Sequence, residues 1–194
     1  GEDRYNGGSG RDTIDFSTYD TKITVDLRIR DFQDIGAPGT DRIRNVENVI
    51  GTEANDEIKG NGRDNVLDGR GGGDIIRGRG GDDTIIGGAE GGDIMHGGGG
   101  DDTFVFRTES EVVQTQHLGN IIKDFTSGSD VIDLSGWDIG GFGLPEETVF
   151  AVDAVILLKL GDAAPVDPPV NAILVEEVPN GRGGTDLQIT GNFR

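Results

Sequence analysis

The sequence predicts an all-β fold, a parallel solenoid followed by an antiparallel β cap. Three observations carry this reading. A nine-residue period runs through residues 51–106, an acid or amide in each unit is followed two positions later by a large apolar residue, and the glycines gather in the half of the unit before that acid. Repetition at a short fixed period marks stacked units that share one core. Without such a period, a chain with 35 Gly among 194 residues, 33% hydrophobic residues and a net charge of −19 would read as disordered.

The units from Gly51 to Val105 read GTEANDEIK, GNGRDNVLD, GRGGGDIIR, GRGGDDTII, GGAEGGDIMH and GGGGDDTFV. The acid or amide column is Asp56, Asn65, Asp74, Asp83, Asp93 and Asp102, with steps of 9, 9, 9, 10 and 9. The apolar column is Ile58, Leu67, Ile76, Ile85, Met95 and Phe104. The glycine-rich half is suited to tight turns, because glycine takes positive φ without steric cost. The last three residues, such as Thr84-Ile85-Ile86, suit a short strand whose central side chain points inward and whose neighbours point out. Two units then form one coil with a turn on each side. The ten-residue unit keeps the acid-to-apolar offset at Asp93 and Met95, which predicts a bulge near Ala89-Glu90 with the strand left in register.

The same register appears earlier. Asp3 and Asp12 precede Tyr5 and Ile14, and GAPGTDRIR places Asp41 before Ile43. Gly1 falls inside a unit, which predicts that the chain is a piece of a larger protein. Residues 16–50 break the rhythm. Alternation at Ile23, Val25 and Leu27, and the run IRNVENVIG, predict irregular coils of the same solenoid. The acids Asp15, Asp20, Asp26, Asp31 and Asp34 have no fixed period and no assigned role. After Phe106 the glycine density falls, and TVFAVDAVILLKL, NAILVEEV and TDLQITGNF predict strands of a cap that closes the open solenoid end. The expected division is therefore residues 1–106 as the solenoid, with irregular coils at 16–50 and regular repeats at 51–106, and 107–194 as the capping region.

Charge and composition narrow the partners. A chain at −19 is repelled by phosphodiester backbones, so nucleic acid is not expected, and it attracts divalent cations. Cysteine is absent, so neither disulfides nor thiolate metal sites can hold the fold. No apolar run reaches the roughly 18 residues of a spanning helix, and no signal peptide pattern opens the chain. The two histidines, His96 and His117, are not in an HExxH arrangement. His96 reads as an outward strand residue, Glu146-Glu147 as solvated surface and Trp137 as core or interface. No catalytic constellation is expected in this segment. The glycine runs are not phosphate cradles, because carboxylates stand where the phosphate would go and no Gly-Lys-Ser/Thr follows.

One large side chain per nine residues is a thin core, and stacked aspartates repel each other. A hard cation answers both problems. Calcium takes six to eight oxygens and tolerates irregular geometry, whereas magnesium demands a tighter octahedron and keeps its water. Each turn offers one carboxylate and several carbonyls. The expected stacking pairs are Asp56 with Asp74, Asp74 with Asp93, and Asp83 with Asp102, with Asn65 and Asp83 forming a weaker pair. The candidate ligands are Asp3, Asp12, Asp41, Asp56, Asn65, Asp74, Asp83, Asp93 and Asp102, together with the carbonyls of Gly69, Gly71, Gly78, Gly80, Gly88, Gly97 and Gly99. Several calcium ions are expected.

These units resemble the RTX, or repeats-in-toxin, family. The piece IIKDFTSGSDVIDLS, residues 121–135, and the final LQITGNFR resemble the corresponding segments of serralysin-type metalloproteases and related exoproteins. The resemblance implies a right-handed parallel β-roll (β-solenoid), folding on calcium binding, passage through a type I export machinery and an extracellular bacterial setting. It also implies that Asp124 completes a terminal calcium site, while Asn120 stands where the family usually carries an aspartate. The expected role is a non-catalytic calcium-binding domain that stabilises or positions an N-terminal catalytic or adhesive module, such as a protease, lipase or epimerase. The alternative is a carbohydrate-binding accessory module that takes polysaccharide.

Overall fold

A computed structural model describes residues 2–36, 40–88, 92–106, 120–126 and 129–133, and the backbone of four later strands. In chain order the strands are Arg4–Asn6 (β1), Thr13–Asp15 (β2), Thr24–Asp26 (β3), Arg42–Arg44 (β4), Asn48–Ile50 (β5), Glu57–Lys59 (β6), Val66–Asp68 (β7), Ile75–Gly80 (β8), Thr84–Ile86 (β9), Ile94–Gly99 (β10), Thr103–Val105 (β11), Asn120–Ile122 (β12), Val131–Asp133 (β13), Val149–Phe150 (β14), Leu158–Lys159 (β15), Ala172–Pro179 (β16) and Thr185–Asn192 (β17).

Successive repeats alternate between two sheets. One runs β14-β13-β11-β9-β7-β5-β2 and the other β15-β16-β17-β12-β10-β8-β6-β3, while β1 and β4 pair separately. Pairing is parallel from β2 to β13. Stacked neighbours are two units apart, as Leu67 against Ile85 and Ile58 against Ile76 show. This is an all-β parallel β-roll. The short strands follow from the unit itself, since three β-favouring residues are all that separate consecutive glycine turns. Antiparallel pairing begins only at the far end, where β17 adds to β12, β14 to β13, and β16 lies between β15 and β17. Those strands fall within the segments read from sequence as the cap.

The core is the apolar column, seen from both sides. Ile14, Val49, Leu67, Ile85, Phe104 and Ile132 point inward from one sheet, and Val25, Ile58, Ile76, Met95 and Ile122 from the other, all buried. Met95 pairs with Ile76, so the strand after the ten-residue unit is in register. The proposed bulge at Ala89-Glu90, and Trp137, His117 and Glu146-Glu147, lie outside the described residues. The irregular N-terminal stretch contributes ordinary coils: Ile23 just before β3 and Val25 on it are buried, as are Val46 and Val49 around β5.

Candidate metal-binding turns

Each coil has two turns, so the turns form two rows. In one row they lead into the column residues Glu47, Asn65, Asp83, Asp102 and Asp130. In the other they lead into Asp56, Asp74, Asp93 and Asn120. Every column side chain reaches back to the previous coil. Oδ1 of Asp74 accepts the N–H of Asp56 at 2.7 Å, Asp93 that of Asp74 at 2.8 Å, and Asn120 that of Asp93 at 3.0 Å. In the other row Asp83 accepts from Asn65 at 2.7 Å, Asp102 from Asp83 at 2.9 Å, and Asp130 from Asp102 at 3.0 Å. The stacking pairs expected from the nine-residue count are the pairs the fold brings together. Asp3 and Asp41 meet in the same way at the start of the chain, the N–H of Asp3 donating to Asp41 at 2.9 Å.

The second carboxylate oxygen is the informative one. Oδ2 of Asp12, Asp74, Asp83 and Asp102 is buried without a hydrogen-bond partner. In Asp74 and Asp83 it lies against the glycine at the head of its own turn, where a carbonyl of the next coil also approaches. A Cβ added to Gly78 would overlap Oδ2 of Asp83 and stand 2.7 Å from the carbonyl oxygen of Gly97. At Gly69 the corresponding pair is Oδ2 of Asp74 and the carbonyl of Gly87. These leading glycines are required by close approach, whereas Gly81, at φ 97°, is required by its backbone conformation. A carboxylate oxygen and a carbonyl oxygen with no proton between them repel in a dry site, and a hard cation relieves that repulsion. The donors are all oxygen, as calcium prefers. Among the described residues no three His, Cys, Asp or Glu side chains cluster as a metal site. The turns instead present one carboxylate each, with backbone oxygens around it.

Electrostatics agree. Burial, reinforced by the Asp93 and Asp56 carboxylates and opposed by the N–H of Asp56, pushes Asp74 up to about 9. Burial and the neighbouring Asp102 push Asp83 up to about 7, and burial with Asp130 and Asp124 pushes Asp102 up to about 6. The stacked row holds negative charge poorly by itself.

Three placements differ from the sequence reading. Glu47 was not singled out, yet its Oε2 accepts the N–H of Asp12 at 3.1 Å and its backbone carbonyl accepts from the Asn65 side chain at 2.8 Å. It stands nine residues before Asp56 and two before Val49, so the period extended one unit further back than the aspartates suggested. Asp130 was also missed, although it precedes Ile132 by two, because 28 residues separate it from Asp102. The carbonyl aligned with those of Gly78 and Gly97 is that of Gly87, not Gly88. Counting back five from Asp93, as in the nine-residue units, gives Gly88, but in this ten-residue unit Gly87 takes the leading position, against Oδ2 of Asp93. Gly99 lies further out, and its carbonyl accepts the N–H of Gly81 at 3.0 Å.

Asp124 is not a column residue. It occupies the leading position of the last turn, above Gly97, whose N–H donates to its Oδ1 at 2.9 Å. Burial raises its pKa, partly offset by that N–H and by His96, whose Nδ1 is 3.8 Å from Oδ2. His96 is half-buried on the outer side of β10, as expected for the ninth repeat position.

Stacked glycine turns with buried carboxylate oxygens define the class, an RTX-type β-roll. Residues 5–154 match the peptidase M10 serralysin C-terminal family, and the chain belongs to that family. RTX domains of this family bind calcium, are non-catalytic and belong to secreted proteins. Among curated proteins no match is found. No helix among the described residues is long and apolar enough to cross a membrane.

Proposed function

We propose that this chain is a calcium-dependent folding module of a larger exported protein. It crosses a type I export machinery unfolded, binds several calcium ions between its stacked turns outside the cell, and then stabilises or positions an attached catalytic or adhesive module. One observation carries this reading, the buried Oδ2 atoms of Asp74, Asp83 and Asp102 without a proton donor, with a backbone carbonyl of the next coil approaching those of Asp74 and Asp83. The ligands would be those carboxylates, with Asp12, Asp93 and Asp124, and the carbonyls of Gly69, Gly78, Gly87 and Gly97. Metal content and circular dichroism test it together. Calcium at millimolar concentration should bind and add β signal to a chain that is mostly coil in chelator, and magnesium should not. A full β spectrum with no bound metal would overturn it.

A second reading rests on a different feature. A cleft of about 680 Å³ is lined by Arg28, Arg30, Arg44 and Arg63, unusual on so acidic a chain. Guanidinium forks match carboxylates in pairs, so the cleft suits a polysaccharide of acidic sugars. Titration with oligouronates should saturate, and Arg28→Ala with Arg30→Ala should abolish the binding. No heat and no shift in calcium-loaded protein would remove this reading.

A further inference from the structure

The turns are of two kinds, and one backbone position separates them. In the turns ending at Asp56, Asn65 and Asp130, the residue four positions earlier donates its N–H to the column side chain: Thr52 to Oδ2 of Asp56 at 2.7 Å, Asn61 to Oδ1 of Asn65 at 2.8 Å, and Thr126 to Oδ2 of Asp130 at 2.7 Å. None of these three donors has positive φ. In the turns ending at Asp12, Asp74, Asp83 and Asp102 the same position is Gly8, Arg70, Arg79 and Gly98, with φ of 97°, 73°, 88° and 111°. In all four of these aspartates Oδ2 is buried without a hydrogen-bond partner. Positive φ turns the N–H away from the carboxylate and removes the internal cap.

We infer that this position, four residues before the column carboxylate, decides which turns take a metal ion. Turns with positive φ there are open and bind calcium through Oδ2. Turns with an ordinary φ are closed by their own N–H and bind none. The inference rests on the calcium reading above and goes beyond it, since all of these turns share the repeat pattern and Asp56 looks like a ligand from sequence alone. Asp56 is instead saturated internally. Its Oδ1 accepts from Ile23 N–H at 2.8 Å and from the Thr52 hydroxyl at 3.0 Å.

Two of the open positions carry arginine rather than glycine. A non-glycine residue at such φ is strained, and the strain is more easily kept where the side chain is held elsewhere. The Arg70 guanidinium is hydrogen-bonded to Glu53. Arg79 makes two bonds of 2.7 Å to Asp26 and another of 2.7 Å to the carbonyl of Gly60. Arg70 is therefore a convenient switch, because a side chain already fits there.

The test is calcium stoichiometry on the whole chain, by metal analysis after equilibrium dialysis, for wild type, Arg70→Gly, Arg70→Thr and Thr52→Gly. Arg70→Gly keeps positive φ and should retain the wild-type number of ions. Arg70→Thr, β-branched and averse to positive φ, should close the turn and bind one ion fewer. Thr52→Gly loses the hydroxyl and frees the backbone, and should bind one more. Equal stoichiometry in all four proteins would overturn the inference, as would loss of an ion in Arg70→Gly. If Arg70→Thr does not fold, Thr52→Gly decides alone, a count unchanged from wild type overturning the inference. A wild type that folds without calcium would instead overturn the calcium reading itself, so the two failures are distinguishable.

Discussion

The coils before residue 60 and those from residue 69 to 106 share one topology but are held by different chemistry. In the later coils the turns are open, and the carboxylates of Asp74, Asp83 and Asp102 have an oxygen with nothing to accept. In the earlier coils, the open turn of Asp12 apart, the charge is answered inside the protein. Asp56 is capped by Thr52 and Ile23, Glu47 pairs with Arg63 at 2.8 Å, and Asp26 is gripped by Arg79. Arg79 reaches across from one region to the other, binding Asp26 and the Gly60 carbonyl together. The difference teaches that a solenoid of this kind does not need a metal at every turn. On the calcium reading proposed above, guanidinium groups and internal N–H caps hold most of the early coils, and the ion holds the turns of Asp74, Asp83 and Asp102.

Calcium removal should break the comparison open most visibly. In chelator, hydrogen exchange should show residues 66–106 losing protection almost completely, while residues 13–26 and 42–59 lose less. Equal loss across both regions would mean that the early coils depend on the ion as much as the later ones.

Single carboxylates should follow the same division. Asp83→Ala removes an open-turn ligand and leaves the ion underpaired, a cost of about 3 kcal/mol or more if the site is dry, seen as a higher calcium midpoint of folding. Asp56→Ala removes three hydrogen bonds of about 1 kcal/mol each, and should lower stability by similar amounts at all calcium concentrations above the midpoint without changing the number of ions. Equal shifts in midpoint for the two variants would refute the division.

Acidity should act on the open turns. The raised values at Asp74, Asp83 and Asp102 mean that the folded chain without metal binds more protons than the unfolded chain between roughly pH 4, the ordinary carboxylate value, and pH 9. Stability without metal therefore rises as pH falls through that window. Circular dichroism in chelator should show more β signal at pH 5.5 than at pH 8. Protons and calcium compete for the same oxygens, so the calcium midpoint should rise as pH falls. A midpoint independent of pH would argue against these carboxylates as ligands.

The smallest effect is expected from Asp26→Asn, which weakens the staple to Arg79. Both groups are partly exposed, so about 1 kcal/mol is expected, visible as a lower melting temperature with the calcium count unchanged.

Much of this was readable in the residue order. The acid and apolar columns located the turns, the inward side chains and the stacking pairs, including Met95 across the ten-residue unit. The reading weakened where spacing departed from nine. Glu47 was overlooked because a glutamate stood in the aspartate column, and Asp130 because a long excursion separated it from Asp102. Asp26 had no periodic signal, since its partner Arg79 is 53 residues away.

By itself the sequence determined the period, and with it the all-β class, the two-turn coil and the alternation of the two sheets, because three β-favouring residues between glycine turns allow little else. Tertiary structure alone decided which turns are open. Thr52, Asn61, Arg70 and Arg79 occupy the same place in a nine-residue unit, and nothing in the period tells a capping N–H from one turned away. That choice depends on the φ each residue adopts once its side chain has found Asp56, Glu53, Asp26 or the Gly60 carbonyl, and those partners meet only when the coils stack.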